Sequence, residues 1–314
     1  MATEQAGASR LQGIRAAVHG RRALADRESL LAPVFLLPAV VYITALVGIP
    51  FLLAIAFSVT DVTAGDPSLD WVGLKNFEDI FHDPIFWRSL KNTLLITAVT
   101  MAFTVVLAKA LAMVLIANFR FKWLVRFLVL LPWTTPVALA AISWLWMLDS
   151  VYSPIDWTLR SLGFIDGNMH WLGRDNLALG SVIAVQTWRI VPLAAVIIMA
   201  GLIAIPDDIN DAAAMDGAGF WRKLWEITIP LNLPVIGVAT LFGAILTFTD
   251  MTVVYILTRG GPANATQTLS SYAYFKGIGG GDLAQGAAIA LFLFPLLLVA
   301  AVAILRSVRK METL

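Results

Sequence analysis

The sequence predicts an all-α integral membrane protein of six transmembrane helices with both ends on the cytoplasmic side. Three observations carry that reading. First, the chain of 314 residues is 59% hydrophobic with a mean hydropathy of +0.81. A single soluble core has no use for so much apolar surface, so lipid is the expected solvent. Second, six segments near 33–58, 92–117, 123–148, 177–203, 232–257 and 284–305 are each apolar over the roughly 20 residues that cross about 30 Å of hydrocarbon. Third, Lys and Arg alternate in density between them. Of the 22, thirteen fall in the N-terminal arm, around 118–126, at Arg222 and Lys223, and in the tail at Arg306, Arg309 and Lys310. Seven fall in the alternate segments 59–91, 149–176 and 258–283, and two, Lys109 and Arg189, lie within spans. The richer set is expected inside.

Taken in order, residues 1–32 form a polar cytoplasmic arm with five arginines, and the apolar run from Pro33 is too long for a cleavable signal. The six-span domain covers 33–305, and a short cytoplasmic tail covers 306–314. Several chemistries are excluded. The absence of cysteine removes disulfides, thiolate metal sites and thiol catalysis together. His19, His82 and His170 are scattered over polar stretches and make no metal site. A net charge of +1 argues against nucleic acid. The Gly-rich "KGIGGGD" at 276–282 lacks the Gly-Lys-Ser/Thr that binds nucleotide phosphates, so it reads as a flexible outer loop.

Residues 206–230 stand apart: they place Asp211, Asp216, Arg222, Lys223 and Glu226 between two apolar spans, in a chain that is only 14% charged. Pro206 with Asp207 and Asp208 reads as a helix start, with acids at the positive end of the dipole. Asp216-Gly217 reads as its end, because Gly accepts a left-handed backbone at low cost. A second short helix is expected over about 219–228, running to Pro230. Ala212, Ala213 and Ala214 leave one face of the first helix flat enough for another body to approach its backbone. An interfacial loop resting on headgroups through Trp221 and Trp225 is the competing reading.

The spacing resembles a known family. Asp211-Ala212-Ala213, Gly217 six residues after the acid, then Ile227-x-Ile229-Pro230 is similar to the EAA loop of ABC importer permeases, with Asp211 where the family usually has Glu. "DGA" at 216–218 matches the carbohydrate-importing subset. The strings "VGLKNFEDIF" (72–81), "FWRSLKNTLLIT" (86–97), "LLPWTTP" (130–136), "QTWRIVP" (186–192) and "YILTRGGPANATQTLS" (255–270) resemble MalF/UgpA-type permeases in the same order.

The resemblance implies a type I (MetI-like) permease fold in a bacterial or archaeal cytoplasmic membrane. It implies one half of an ATP-driven, binding-protein-dependent import pathway for a sugar or related polyol. The implied partners are a second homologous permease, two ATPase subunits and an extracytoplasmic binding (lipo)protein. The chain itself then needs no cofactor, since the ATPases bind ATP and Mg. The residues implied to dock the ATPase are Asp211, Ala212, Ala213, Asp216, Gly217, Ile227 and Pro230.

Three charges lie inside the spans. Lys109 is about two turns from its span's end, with a stem long enough to snorkel. Arg189 and Asp250 are deeper. Counted from the outer ends of their spans, with the fifth running to Leu257, their depths differ by only about 3–8 Å, within reach of an ion pair. A purely structural pair and a cavity role both fit. The family's mid-membrane sugar contacts fall here on Trp133, Val137, Gln186, Arg189, Ile190, Leu193, Thr247 and Asp250. Of these, Trp133 offers a flat ring to a pyranose, and Gln186, Arg189, Thr247 and Asp250 carry polar groups. Arg189, Ile190 and Leu193 depart from the maltose permease, so no particular sugar carries over, and an arginine there also suits an anionic cargo. Pro132, Pro136 and Pro192 are expected to kink the third and fourth spans. Two rivals remain: an ion-coupled secondary transporter using Asp250, which inverted repeats would favour, and a membrane enzyme, for which no paired acid and base or metal set is present.

Overall fold

The computed structural model describes residues 28–312; the arm up to residue 27 and the last two residues of the tail lie outside the described residues. Among the described residues the chain is helical, with one isolated bridge between Thr60 and Trp71 in place of any sheet. It divides into two compact units, Met1–Ala56 and Phe57–Leu314.

The described part of the first unit is a single apolar run: α1 (Glu28–Ile43), a π turn (Thr44–Gly48) and α2 (Ile49–Ser58), whose last two residues are counted with the second unit. Its large side chains, Phe35, Leu36, Tyr42 and Leu52 among them, are exposed. The π turn ends two residues before Pro50. A proline has no N–H to give and crowds the carbonyl four residues back, and a wider turn relieves both problems.

The second unit contains α3 (Lys75–His82), α4 (Pro84–Ile116), α5 (Lys122–Thr134), α6 (Val137–Met147), α7 (Pro154–Ser161) and α8 (Asp175–Ile203). These are followed by α9 (Asp207–Met215), α10 (Phe220–Arg222), α11 (Ile229–Thr249), α12 (Thr252–Leu257), α13 (Leu269–Tyr274) and α14 (Leu283–Glu312). Its centre is the packing of α4, α8 and α11. The buried face of α4 carries Thr93, Thr100, Met101, Thr104, Ala108, Ala112 and Leu115, most of them spaced by three or four. Ala108 and Ala112 meet Ala194, Ala195 and Ile198 of α8 and Ala239 of α11. Small residues at such a crossing let helix backbones approach closely, which is how helices associate where burial from water offers no drive. Gly243 belongs to the same crossing: a Cβ there would stand 2.9 Å from the Met101 sulfur and 3.1 Å from Ile190 Cγ2.

A second cluster, Ile96, Leu148, Val182, Val185, Val253, Val254 and Leu257, ties α6 and α12 to α8. A third, Ile80, Phe86, Leu269, Tyr272, Ala288 and Ile289, joins α3 and α13 to the start of α14. The loop between α12 and α13 is pinned to α4 by Asn92, whose Nδ2 donates to the carbonyls of Asn264, Ala265 and Gln267. The Tyr272 hydroxyl donates to Asp83, and burial with that bond pushes its pKa above the usual tyrosine range.

The helices depart from the expected segments in three places. The third, read as one run over 123–148, is two helices bent by 95° between Thr134 and Val137. Pro136 cannot extend α5, and the hydroxyls of Thr134 and Thr135 donate to carbonyls of its last turn, Leu130 and Leu131. Pro192, by contrast, leaves α8 uninterrupted. The fifth, read to Leu257, stops at Thr249, and Asp250 stands in the break before α12. At its other end the expected separate helix over 219–228 is not separate. Phe220–Thr249 is one helical run of 30 residues, with a π turn (Lys223–Thr228) two residues before Pro230 that lets the proline in without a break.

Because Gly243 sits where three helices touch, Gly243→Leu is expected to cost about 1–3 kcal/mol through overpacking. Its thermal midpoint in detergent should fall. A Cβ added at Gly180 would meet nothing within 4 Å, so that position should accept the same change without loss.

Candidate functional site

The site is built on a helix end. Asp250 terminates α11, and its Oδ1 accepts the Val253 N–H at 2.9 Å, so the same carboxylate holds the first turn of α12. Asp is a poor helix interior and a good start, because its short side chain competes for backbone N–H groups. The other oxygen, Oδ2, lies 3.3 Å from Arg189 Nη2, and the two side chains are only 7% and 9% exposed. Arg189 comes from the middle of α8. Depth counted along the sequence thus pairs the right two charges, although the count ran along a helix that does not reach Leu257.

Hydrogen-bonding capacity around the pair is left over. Arg189 Nε, Gln186 Oε1 and Thr247 Oγ1 are buried without a protein partner. Gln186 lies one turn before Arg189 and Ile190 on α8, and Thr247 lies in the last turn of α11. Trp133 of α5 is half-buried against the cluster of Met101, Ile190 and Ala244, which belongs to the α4, α8 and α11 crossing. The structure therefore joins Arg189 to Asp250 directly. It sets Trp133, Gln186 and Thr247 on the elements that meet there.

Sequence reasoning missed α4. Thr97, Thr100 and Thr104 each bury an Oγ1 without a partner. A helical threonine normally donates to a carbonyl one turn back. Thr93, Thr187 and Thr240 do so, to Ser89, Ile183 and Ile236. The spacing of 97, 100 and 104 on the face that carries Met101 was the available signal. Lys109, whose stem is long enough to snorkel, is instead buried, and its Nζ has no hydrogen-bond partner.

A separate hollow of about 270 Å³ is lined by Trp144, Leu148, Ile155, Trp171, Leu177 and Val185, with Asn176 and Ser181 its polar members. It contains none of the residues named for the site. Its two polar members contrast with the Arg189–Asp250 region, where a buried ion pair lies near buried groups of Gln186 and Thr247 that have no protein partner.

At the other end of α11, the turn after α9 is closed by two bonds, Gly217 N–H to the Ala214 carbonyl and Ala218 N–H to the Ala213 carbonyl, at 3.1 and 2.9 Å. That pattern is a Schellman motif, and Gly217 takes the left-handed conformation it requires, φ +69°. Of the residues expected to dock a partner, Ala213 is buried and Ile227 half-buried, while Asp211, Ala212, Asp216, Gly217 and Pro230 are exposed. Met215, Phe220, Trp221 and Trp225 add exposed apolar side chains around the turn.

Comparison with known proteins agrees with this architecture. The family described as "Binding-protein-dependent transport system inner membrane component" matches residues 105–313. The sulfoquinovosyl glycerol transport system permease protein SmoG of Agrobacterium fabrum is 32% identical over 288 residues, 91% of this chain and 92% of the relative. The trehalose/maltose transport system permease protein MalF of Thermococcus litoralis is 30% identical over 272 residues, 87% of this chain and 91% of the relative. A chain of a bacterial alginate ABC transporter, crystallised with an alginate pentasaccharide-bound periplasmic protein, superimposes with a TM-score of 0.77 at 18% identity, over 91% of this chain and 96% of that one. At that identity the likeness shows the fold.

Removing one member of a buried pair leaves the other uncompensated, at a cost of about 3–5 kcal/mol. Arg189→Ala and Asp250→Asn should each lower the unfolding midpoint of the purified chain. The double variant should lose less than the two singles together. Strictly additive losses in thermal unfolding would show that the two charges do not act as a unit.

Proposed function

Since the chain belongs to the family of binding-protein-dependent transport system inner membrane components, we propose that it forms half of an ATP-driven import pathway for a sugar or related polyol. The observation that carries this reading is the buried Arg189–Asp250 pair beside partnerless groups on Gln186, Thr247 and Arg189 itself. Trp133 supplies an apolar ring for C–H groups, and the amide and hydroxyls supply donors and acceptors for sugar hydroxyls. The named cargoes of the two relatives, a sulfoquinovosyl glycerol and trehalose or maltose, support a glycoside as the class. As a subunit of a transporter, the chain is a transport component and not an enzyme.

In this reading the other half of the pathway comes from a second, homologous permease, with two ATPases below and an extracytoplasmic binding protein above. The solved alginate transporter, carrying a periplasmic protein, supports the last of these. Both termini and residues 206–230 face the cytoplasm, as the Lys and Arg distribution favours. The ATPases bind ATP and Mg and grip α9 through the exposed Asp211 and Ala212, while Ala213, expected to dock as well, is buried behind them. The Schellman turn at Asp216-Gly217 fixes α9 to the helix that begins at Phe220 and passes Ile227 and Pro230. That helix ends at Thr249, beside Asp250. A pull on α9 is therefore delivered along a rod of about 45 Å, at 1.5 Å per residue, to the residue that holds Arg189. An ion-coupled transporter would need Asp250 free for a cation, and Arg189 already occupies it.

Two measurements test the proposal. Gln186→Ala and Thr247→Val each remove a buried group that would bond cargo, and each should reduce labelled-sugar uptake by about 5- to 100-fold at unchanged expression. Full uptake in both would take these residues out of the pathway. Gly217→Leu strains the left-handed turn by about 1 kcal/mol or more. It should leave the chain in the membrane while reducing co-purification of the ATPase. A fully assembled complex with normal transport-coupled ATP hydrolysis would count against docking at this loop.

A further inference from the structure

The connection between α6 and α8 is built to hold its shape. Asp149 accepts the N–H groups of Val151 and Tyr152, both at 2.8 Å. Ser153 donates to the Met147 carbonyl and caps α7 by accepting the Asp156 N–H. Asp156, 1% exposed, accepts the Met169 N–H at 2.7 Å and the Trp171 Nε1–H at 2.6 Å. Asn168 Nδ2 donates to the Ser150 carbonyl. Buried Ser153 and Asp156 thus brace this segment from inside, beside Ile155, Trp171 and Leu172 that pack against the core, while several of its largest apolar side chains point outward. Tyr152 is 79% exposed, Phe164 74% and Trp157 67%, with Val151 and Leu162 exposed beside them.

In water such an arrangement is inverted, since the hydrophobic drive would turn the aromatics in. The inversion has a continuation. On α6 the exposed residues Leu139, Ile142 and Trp146 follow one another at spacings of three and four, a single stripe on a helix apolar enough to be part of a span. The stripe ends at the turn that presents Val151 and Tyr152. The exposed apolar stripe of α6 therefore leads, past Asp149 and Ser150, into the exposed face of the connection. Tyr and Trp rings, apolar in body and polar at one edge, are the side chains that settle at the boundary between hydrocarbon and headgroups.

We propose that residues 151–164 are an interfacial anchor: α7 lies in the headgroup layer where α6 ends, with Tyr152, Trp157 and Phe164 seated in lipid and the Asp156 hub holding them in place. The occupant of this face is phospholipid. This placement does not depend on which cargo the chain carries.

The absence of cysteine from the sequence makes the test direct, because one introduced cysteine is the only site of labelling in this chain, and the partner subunits are added after labelling. Trp157→Cys and, separately, Tyr152→Cys are introduced into the full chain, spin-labelled and reconstituted in vesicles of phosphatidylethanolamine and phosphatidylglycerol. Each is studied alone and with the partner subunits. Asp66→Cys, in the exposed loop before α3, gives the water-facing reference. The ratio of oxygen to nickel-chelate accessibility at 157 and 152 should exceed that at 66 several-fold, with and without partners. Nickel-chelate accessibility equal to that at 66 would place the segment in water and overturn the proposal. Labels shielded from both reagents in the assembled complex would overturn it as well, by showing that a protein covers this face. Tyr152→Cys keeps the test decisive should Trp157→Cys fail to insert.

Discussion

Arg189 and Asp250 face each other at 3.3 Å inside a helical unit surrounded by lipid-suited side chains, and much of that unit follows from keeping them together. A lone charge in hydrocarbon is costly enough to be rare. Asp250 can reach Arg189 because α11 ends one residue earlier, and the carboxylate that ends it also starts α12. With α12 fixed there, Val253, Val254 and Leu257 pack against α6 and α8. The alanines and Gly243, where α4, α8 and α11 cross, set how closely the backbones approach and so how deep the pair is buried. Removing either charge would affect the helix break, the α12 contacts and the central crossing together.

The helical class, the apolar runs and the family could be read from the chain because each rests on patterns many residues long. Turn chemistry was legible too, where one residue type has one physical use: Gly217 takes the positive φ that its place after "AMD" suggested. What escaped was local competition within apolar runs. Asp250 looked like a charge inside a continuous span, because only uncharged residues separate it from Arg259. Only its hydrogen bond to Val253 reveals a helix start. Pro136 and Pro192 are the same residue in similar company. One lies at a 95° bend and the other within an unbroken helix. Two hydroxyls next to Pro136 take up carbonyls at the helix end, and that depends on geometry the sequence does not display. The threonines of α4 were overlooked because a threonine in a helix is usually occupied by its own backbone.

The two features that set this unit apart, the charged turn at 211–230 and the buried pair, lie at opposite ends of one helix. The family match over 105–313 includes both. A helix transmits displacement along its axis because every backbone hydrogen bond must lengthen for it to stretch. The π turn at Lys223–Thr228 is the place in that rod where the hydrogen-bond register is not that of an α-helix. It accommodates Pro230 while keeping the chain helical, which a kink would not do.

The hydroxyls of Thr97, Thr100, Thr104 and Thr247 have one more consequence. In the proposed reading these buried groups, which have no protein partner, would bond a solute when one is present and water when none is. A sugar reaching them would then exchange one set of hydrogen bonds for another, so each contact would yield little net free energy. A storage site would be poorly served by that exchange. A passage needs recognition without retention, and partners that are always satisfied, by solute or by solvent, release as readily as they receive.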